Sequence, residues 1–536
     1  MVTPGSCILS HLVLLYKTNV QKKSGDYASD HYLLAKMELG IPIFFNMISL
    51  ILIVPLLYLV NRFHTSRSSR PKLPPGPWKL PLIGSLHHLL GGSLPHHALR
   101  NLARKYGPIM HLQLGEISAV LISAPRVAKE LLTTHDLAFL SRPRLPSLGI
   151  MTYNYQDIAM APYGDYWKQM RKICFSELLS SKNVHSFSTI REEEAVNLVE
   201  SIRSHPSSIP IDLTQKVFSC TNDVVCRAAF GKSRGGKDEF LPLIIEFGTS
   251  SGGFDVADLF PSVKFLGVVT GMRTKLMKLH HKIDQVLSVI IDEHVEKLTL
   301  GQHAEEDLVD VLLRFKQKGS LEFPITMDNI KAITLDMFTA GTYTTATTVE
   351  FAMAQMIKHP NVMEKAQAEL RHVFKGKDRI LDSDLEKVSY LKMVIKETLR
   401  LNPPAPLLLP KECQDWQKVC GYDIPPKTEV ILNALAIHRD PEYWDNAESF
   451  EPERFAESGI EFIGPNFEFI PFGGGRRMCP GTYFSLATVE LLLAQLLYHF
   501  NWELPDGLKP QDLDMTEIVG FVAKRKNNLC LLATSL

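Results

Sequence analysis

One cysteine of this chain stands in a setting built for reactive sulfur. The run Pro471-Phe472-Gly473-Gly474-Gly475-Arg476-Arg477-Met478-Cys479-Pro480-Gly481 is glycine-rich and doubly basic, and it leads directly into the apolar helical segment Thr482 to Phe500. Glycines let a backbone fold tightly around a bulky ligand atom, where a Cβ would clash. A helix N-terminus and two arginines both favour the thiolate over the thiol. No second cysteine or histidine lies at zinc spacing, which argues against zinc. On these grounds Cys479 reads as a sulfur wrapped around a bulky ligand, as a nucleophile, or as a core residue beside a turn.

Three further groupings carry chemistry. Ala340-Gly341-Thr342-Tyr343-Thr344-Thr345 lies inside the helical pattern Asp328 to His359. A mid-helix glycine costs about 1 kcal/mol against alanine. Threonines there can bond back to a carbonyl one turn earlier and bend the helix. Glycine and threonine together point to a local opening beside a ligand. Glu397 and Arg400 stand three apart on one helix face, with Arg454 later in Pro452-Glu453-Arg454-Phe455. A buried carboxylate sharing two guanidiniums would be fully hydrogen-bonded, although Glu-x-x-Arg alone reads equally well as a surface ion pair. Trp167 and Arg171 share a face of a third helix, where Trp167 also reads as plain core.

The cysteine loop resembles the heme-binding signature of the cytochromes P-450, Phe-x-x-Gly-x-Arg-x-Cys-x-Gly. Phe472, Gly475, Arg477, Cys479 and Gly481 fill its fixed positions. The resemblance runs from Leu73 to the end of the chain, with the other groupings in the family's order. It implies a mainly α fold, a large helical domain with small β-sheets, carrying heme b with Cys479 as the axial thiolate. A thiolate ligand pushes electron density onto iron and favours O–O cleavage. It further implies that Gly341 and Thr344 form the oxygen-activation groove, with Thr344 relaying protons. Trp167, Arg171, Lys411 and Arg477 would face the heme propionates, and Glu397, Arg400 and Arg454 would form a structural triad behind the heme.

Tyr343 departs from this pattern, because the family usually has Asp or Glu there. A phenol with a pKa near 10 cannot cycle protons at pH 7 as a carboxylate does. The expectation is a tolerated neutral substitution with ordinary hydroxylation. The alternatives are slower proton delivery, carried by water and Thr344, or a reaction such as oxidative cyclisation that needs less of it. Under the proton-delivery reading, Tyr343→Asp should improve the coupling of NADPH use to product.

These groups need long helices to hold them. His185 to Ser204, Thr270 to Leu300, Asp328 to His359 and Asn361 to Phe374 show apolar residues at three- and four-residue spacing. Ile109 to Leu114 and Ala119 to Ser123 alternate as a strand pair around Gly115-Glu116. Gly231-x-x-x-x-Gly236-Lys237 mimics a phosphate loop, but Asp238 replaces the required Ser/Thr. No Gly-x-Gly-x-x-Gly follows a strand, so NADPH and flavin electrons must come from a separate protein.

With 536 residues and a net charge of +0, nothing in the composition suggests disorder or nucleic-acid binding. Eight cysteines without a CxxC pair fit reduced thiols facing the cytosol. Ile41 to Val60 is a run of twenty residues without a charge, enough to span a bilayer. Arg62, Arg67, Arg70 and Lys72 follow and would stay cytoplasmic, ahead of the proline-rich Leu73-Pro74-Pro75-Gly76-Pro77. The expected organisation is an atypical extension over 1–36, an anchor over 37–60, a basic and proline-rich hinge over 61–78 and a heme-thiolate domain over 79–536. An upstream start codon accounts for the extension, with organelle targeting as the alternative.

The resemblance to plant microsomal members of the family implies a single-pass endoplasmic reticulum protein with a cytosolic catalytic domain. It would be a monooxygenase using O₂ and electrons from NADPH-cytochrome P-450 reductase on a small hydrophobic terpenoid or alkaloid. Ser141 to Tyr155, Phe254 to Phe260, Phe338 to Thr342, Ala405 to Leu408 and Phe521 to Val522 would shape the pocket, while Asn402, Leu435 and His438 depart from the plant pattern. A reductase-independent heme isomerase or dehydratase is one alternative, and a catalytically silent heme protein is another.

Overall fold

The 32-residue helix Met327–Lys358 is buried on nearly every side because its sequence offers no polar face. Ile330, Ile333, Leu335, Phe338 and Ala354 point in different directions round the helix, and all are buried. A helix that is apolar all round belongs in the middle of a protein. Its start is fixed by a reciprocal cap, in which Thr326 Oγ1 accepts the Asn329 N–H and Asn329 Oδ1 accepts the Thr326 N–H. At 1.5 Å per residue it spans about 48 Å, so one helix touches the active cavity and several layers behind it.

The computed structural model describes residues 71–536 apart from 232–236, 251–254, 301–306, 320 and 521. Lys72–Leu536 form one compact unit. The expected extension 1–36, the anchor with Ile41–Val60, and Arg62, Arg67 and Arg70 lie outside the described residues, as do Phe254, Phe521 and most of the glycine turn after Gly231. Among the described residues no helix is long and apolar enough to cross a membrane.

The helices that position the site are, in chain order, α1 (Pro95–Tyr106), α2 (Pro146–Met151), α3 (Asp165–Cys174), α4 (Ser188–Arg203), α5 (Leu213–Phe230), α6 (Lys237–Ser250), α7 (Met272–Thr299), α8 (Met327–Lys358), α9 (Pro360–Val373), α10 (Tyr390–Leu401) and α11 (Thr482–His499). The expected helix His185–Ser204 is broken at Phe187, which separates a short turn, Ser181–Ser186, from α4.

The strands that position the site are, in chain order, β1 (Ile109–Leu114), β2 (Ile117–Ile122), β3 (Lys411–Glu412), β4 (Glu429–Leu432), β5 (Glu517–Val519) and β6 (Ala523–Arg525). β1 and β2 form the expected hairpin, with β2 starting two residues earlier than its sequence pattern. Gly115 takes φ +63° at the turn and lies so close to the Leu259 carbonyl that a Cβ has no room. β4 then pairs parallel to β2, Ala119 opposite Glu429 and Ile122 opposite Leu432, and β3 pairs antiparallel to β4. A parallel pair needs a crossover, and here most of the helical body supplies it. The described part of the proline-rich hinge lies along this sheet. The His111 N–H donates to the Pro75 carbonyl at 2.8 Å, and a side chain at Gly76 would collide with the His111 carbonyl.

Candidate functional site

A cavity of about 380 Å³ lies against α8, walled by the cysteine loop, the start of α11, the Pro404–Lys411 segment and the β5–β6 turn. Gly341, Thr344, Arg171, Lys411, Phe472, Arg477, Cys479 and Gly481 all line it. Residues more than 300 positions apart therefore meet in one space.

Local geometry explains the cysteine loop. Gly473 and Gly475 take φ +73° and +68°, and a side chain at Gly475 would strike Asp136. The loop closes when the Cys479 N–H donates to the Phe472 carbonyl at 2.9 Å. Thr482 Oγ1 donates to the Cys479 carbonyl at 3.0 Å and ties the loop to α11. Cys479 is open to the cavity while protein encloses the site. Burial pushes its thiol pKa up, opposed by the Gly481 N–H, Arg171 and Thr482. Arg477 is not among the groups opposing that rise, because its guanidinium turns away. Arg477 donates to the carbonyls of Leu140 (2.8 Å) and Ala161 (2.6 Å), and stacks 4.3 Å above the Trp167 ring.

Four cations converge on this cavity. Arg142 donates to the carbonyls of Ala159, Leu409 and Pro410. Arg171 donates through Nη2 to the Met478 carbonyl at 2.5 Å. Lys411 is buried, and its Nζ has no hydrogen-bond partner among the described residues. Burial first, and then Arg142 and Arg477, push its pKa down to about 7. Burial and mutual repulsion likewise lower Arg142 to about 10 and Arg477 to about 9, so both guanidiniums stay charged at pH 7. An unpartnered ammonium beside three guanidiniums is costly unless an anion completes the cluster. A flat ligand bearing two carboxylates and an acceptor for sulfur fits this donor set, as heme does.

Thr344 Oγ1 donates to the Ala340 carbonyl at 2.7 Å, the back-bond expected of a threonine that opens a helix. Asp336, about two turns earlier on α8, also lines the cavity. Its Oδ2 accepts the N–H groups of Ile158 (2.7 Å) and Ala159 (3.2 Å). Asp157 lies within hydrogen-bonding reach of it, and burial raises both carboxyls, Asp157 to about 7. Each carboxyl so placed disfavours the charge of the other. The sequence placed Arg142 only in a pocket-shaping segment, not among the charged groups, and did not single out Asp336. A lone aspartate inside the apolar stretch Ile333 to Phe338, eight residues before Thr344, was the available signal for the second.

Two expected site residues stand elsewhere. Trp167 does not line the cavity. It lies behind Arg171 and Arg477 and donates from Nε1 to the Ile158 carbonyl at 3.0 Å. Tyr343 is a correction. Although Gly341 and Thr344 line the cavity, Tyr343 does not; its ring is buried in the core against Phe218 at 5.3 Å. At 100° per residue the Tyr343 side chain is turned well away from both Gly341 and Thr344.

The expected pocket segments contribute in part. Arg142, Leu145, Leu148, Asp258, Leu259, Ala340, Ala405 to Leu408 and Val522 line the cavity. Phe338 does not, being stacked on Phe230 at 4.4 Å. Glu397, Arg400 and Arg454 meet behind the cysteine loop, Arg400 bidentate at 2.7 and 2.8 Å and Arg454 at 3.1 Å. The departure His438 links the two regions. Burial drives its pKa down to about 3, so it is neutral. Its Nε2 accepts the Ile470 N–H at 2.9 Å, while its carbonyl accepts from Arg400. Asn402 accepts from Gln355 and donates to Glu517, bridging α8 to β5.

Residues 74–532 match the family model described as Cytochrome P450. The premnaspirodiene oxygenase of Hyoscyamus muticus is 55% identical over 495 residues, covering 92% of this chain and 98% of that one. The 5-epiaristolochene 1,3-dihydroxylase of Nicotiana tabacum is 52% identical, covering 92% and 98%. The germacrene A hydroxylase of Saussurea costus is 49% identical, covering 90% and 98%. Among solved structures, a zebra fish cytochrome P450 with progesterone superposes with a TM-score of 0.70 at 28% identity, covering 83% of this chain and all of that one.

Proposed function

This chain belongs to the cytochrome P450 family, and from that premise we propose that it oxidises a small hydrophobic plant terpenoid, with Cys479 as the residue that would hold the iron of heme b. It is a P450 monooxygenase; the substrate, the partner and the residue roles are the proposal. When bound, a thiolate-ligated heme supplies oxygen activation, the sulfur favouring O–O cleavage.

The chain's own residues do the rest. The Gly473–Gly475 turns and the Thr482 bond hold Cys479 toward the cavity. Lys411, Arg171 and Arg477, joined by Arg142, would pair with the two carboxylates of the heme. Phe472 and Gly481 flank the sulfur. Apolar walls from Leu145, Leu148, Ala405 and Val522 exclude water and hold the substrate by shape. Gly341 leaves room in the helix, and the Thr344 hydroxyl can hold or pass a proton at Oγ1, with the protonatable Asp336 lining the same cavity. The observation that carries this reading is Cys479 and Thr344 facing one cavity with four cations and an unpartnered ammonium at its edge.

The names of the relatives cited above support a sesquiterpene-like substrate over an alkaloid. Electrons would come from NADPH through NADPH-cytochrome P450 reductase, which would dock on Arg and Lys side chains of the cysteine-loop face. The charge-free run Ile41–Val60 and its basic flank support a single-pass anchor in the endoplasmic reticulum, with the catalytic unit cytosolic.

Microsomes carrying the full chain and reductase are expected to show the red-shifted reduced carbon monoxide band of a thiolate-bound heme. Cys479→Ser should remove it. Such microsomes should also turn over NADPH with a sesquiterpene panel. A missing band would refute the heme-thiolate assignment. A band without NADPH-dependent product would favour the peroxide isomerase or the silent heme protein.

A further inference from the structure

Tyr343 is where four parts of the molecule meet, and none of those contacts belongs to the cavity. Its ring is 2% exposed. The Phe218 ring of α5 meets it edge-on at 5.3 Å and 85°. Gly248 of α6 lies so close that a Cβ there would stand 3.0 Å from the ring's Cε2 and 3.3 Å from Cδ2. That is tighter than nine in ten real Cβ contacts, so a side chain at Gly248 would make the ring give by a few tenths of an ångström. Lys524 of β6 sits with Nζ 5.9 Å from the ring centroid, at cation–π distance.

The elements clamped this way shape the cavity. On β6, Lys524 follows Ala523, and successive strand side chains point to opposite faces. Ala523, Val522 and Gly520 line the cavity while Lys524 covers Tyr343. The β5–β6 hairpin is held at its base as well, with Lys524 opposite Ile518 and the Ala523 N–H donating to the Pro404 carbonyl at 2.9 Å. Helix α6 has a second seat on α8, where Phe240 meets Phe338 edge-on at 4.6 Å. Phe240 and Gly248 are eight apart and share one face of α6. Two aromatic side chains of α8, five residues apart, therefore fix the line of α6, and Tyr343 is the one that also touches the hairpin.

We infer that Tyr343 is a positioning residue: its ring sets the seat of α6 and of the Glu517–Arg525 hairpin whose tip walls the cavity, and so fixes which carbon of the substrate faces the reacting centre. Its phenolic proton is not used. For its product readout this rests on the terpenoid oxygenase reading, whereas its structural readout does not.

The test compares full-chain holoenzyme with Tyr343→Phe, Tyr343→Ala, Tyr343→Asp, Gly248→Ala and the pair Gly248→Ala/Tyr343→Leu. Amide hydrogen exchange, the ratio of oxidised terpenoid products and the coupling of NADPH to product are measured on each. Tyr343→Phe should match wild type in all three. Tyr343→Ala and Tyr343→Asp should speed exchange several-fold in α6 and the hairpin, shift the product ratio and raise KM more than they lower kcat. Gly248→Ala should do the same by overpacking, and the double variant should recover toward wild type. Unchanged exchange in Tyr343→Ala would overturn the proposal, as would lost coupling in Tyr343→Phe or improved coupling in Tyr343→Asp. If wild type makes no NADPH-dependent product, the oxygenase reading falls, and exchange with the Gly248 rescue still decides the role of Tyr343.

Discussion

Two buried clusters of positive charge lie on either side of the cysteine loop, and they are finished to different degrees. Behind the loop, all five N–H groups of Arg400 have acceptors: both Glu397 oxygens and the carbonyls of His438, Ala447 and Ser449. Glu397 in turn accepts from Arg400, Arg454 and the Glu451 N–H. In front of it, the hydrogen bonds of Arg142, Arg171 and Arg477 go to neutral backbone carbonyls, and the Lys411 ammonium has none among the described residues. A closed network serves the fold, and leaving it incomplete costs the fold several kcal/mol. An open cation cluster is unfavourable for the empty protein and becomes favourable when an anionic ligand completes it.

The largest expected effect comes from opening the closed network. Glu397→Ala leaves two guanidiniums buried without their carboxylate, a change that costs about 3–5 kcal/mol in comparable buried pairs. That is a large fraction of a typical domain's stability. The variant should accumulate poorly and bind no heme even with Cys479 intact, as measured by urea unfolding and the reduced carbon monoxide spectrum. Near-normal heme loading would mean that the network is ornamental and the contrast false.

Lys411→Met should behave in the opposite way. Removing an unpartnered buried ammonium is expected to stabilise the heme-free full chain by about 1–3 kcal/mol, yet to speed heme loss from the loaded protein. The pH dependence has a definite sign. The folded pKa lies near 7, below the ordinary 10.5. Between those values the unfolded chain binds more protons, so the heme-free protein gains stability as pH rises through that window. The gain should be absent in Lys411→Met and in heme-loaded wild type, where the ammonium has its partner. Parallel destabilisation of both forms would assign Lys411 to packing instead.

Local pattern made much of this legible. The apolar spacing gave α7, α8 and α9 within a residue or two, and five fixed residues in one loop located Cys479. What stayed hidden depends on direction rather than identity. Tyr343 occupies a position named by a motif, but the motif is linear while the helix turns 100° at each step, so the ring faces Gly248 and not the cavity. Arg142 and Asp336 depend on contacts with 409–410 and 157–159, which no single stretch encodes. The direction of Arg477 was hidden for a similar reason, since it is two residues from Cys479 in sequence but bonded to carbonyls at 140 and 161.

The smallest effect concerns a third buried charge, and it sharpens the contrast because its pH dependence runs the other way. His294 on α7 has an acceptor at each ring nitrogen: the Ile290 carbonyl at 2.7 Å from Nδ1 and Asp307 Oδ2 at 2.9 Å from Nε2. Two acceptors require two ring protons, so the geometry demands the imidazolium. Burial opposes this, but the Asp307 hydrogen bond and charge prevail, and the pKa is raised above 6.5. Asp307 is itself fixed, its Oδ1 accepting the Asp310 N–H at the start of Leu308–Lys318. A raised histidine pKa contributes stability that is complete below the unfolded value and is lost as pH rises through the folded one. Compared with His294→Gln, wild type should be more stable by about 1 kcal/mol near pH 5.5, and the two urea midpoints should converge at alkaline pH. Stability thus falls with pH where a buried cation already has its anion and rises where the anion is missing. If both groups gave slopes of the same sign, completeness of hydrogen bonding would not be what separates the structural charges from those that await a ligand.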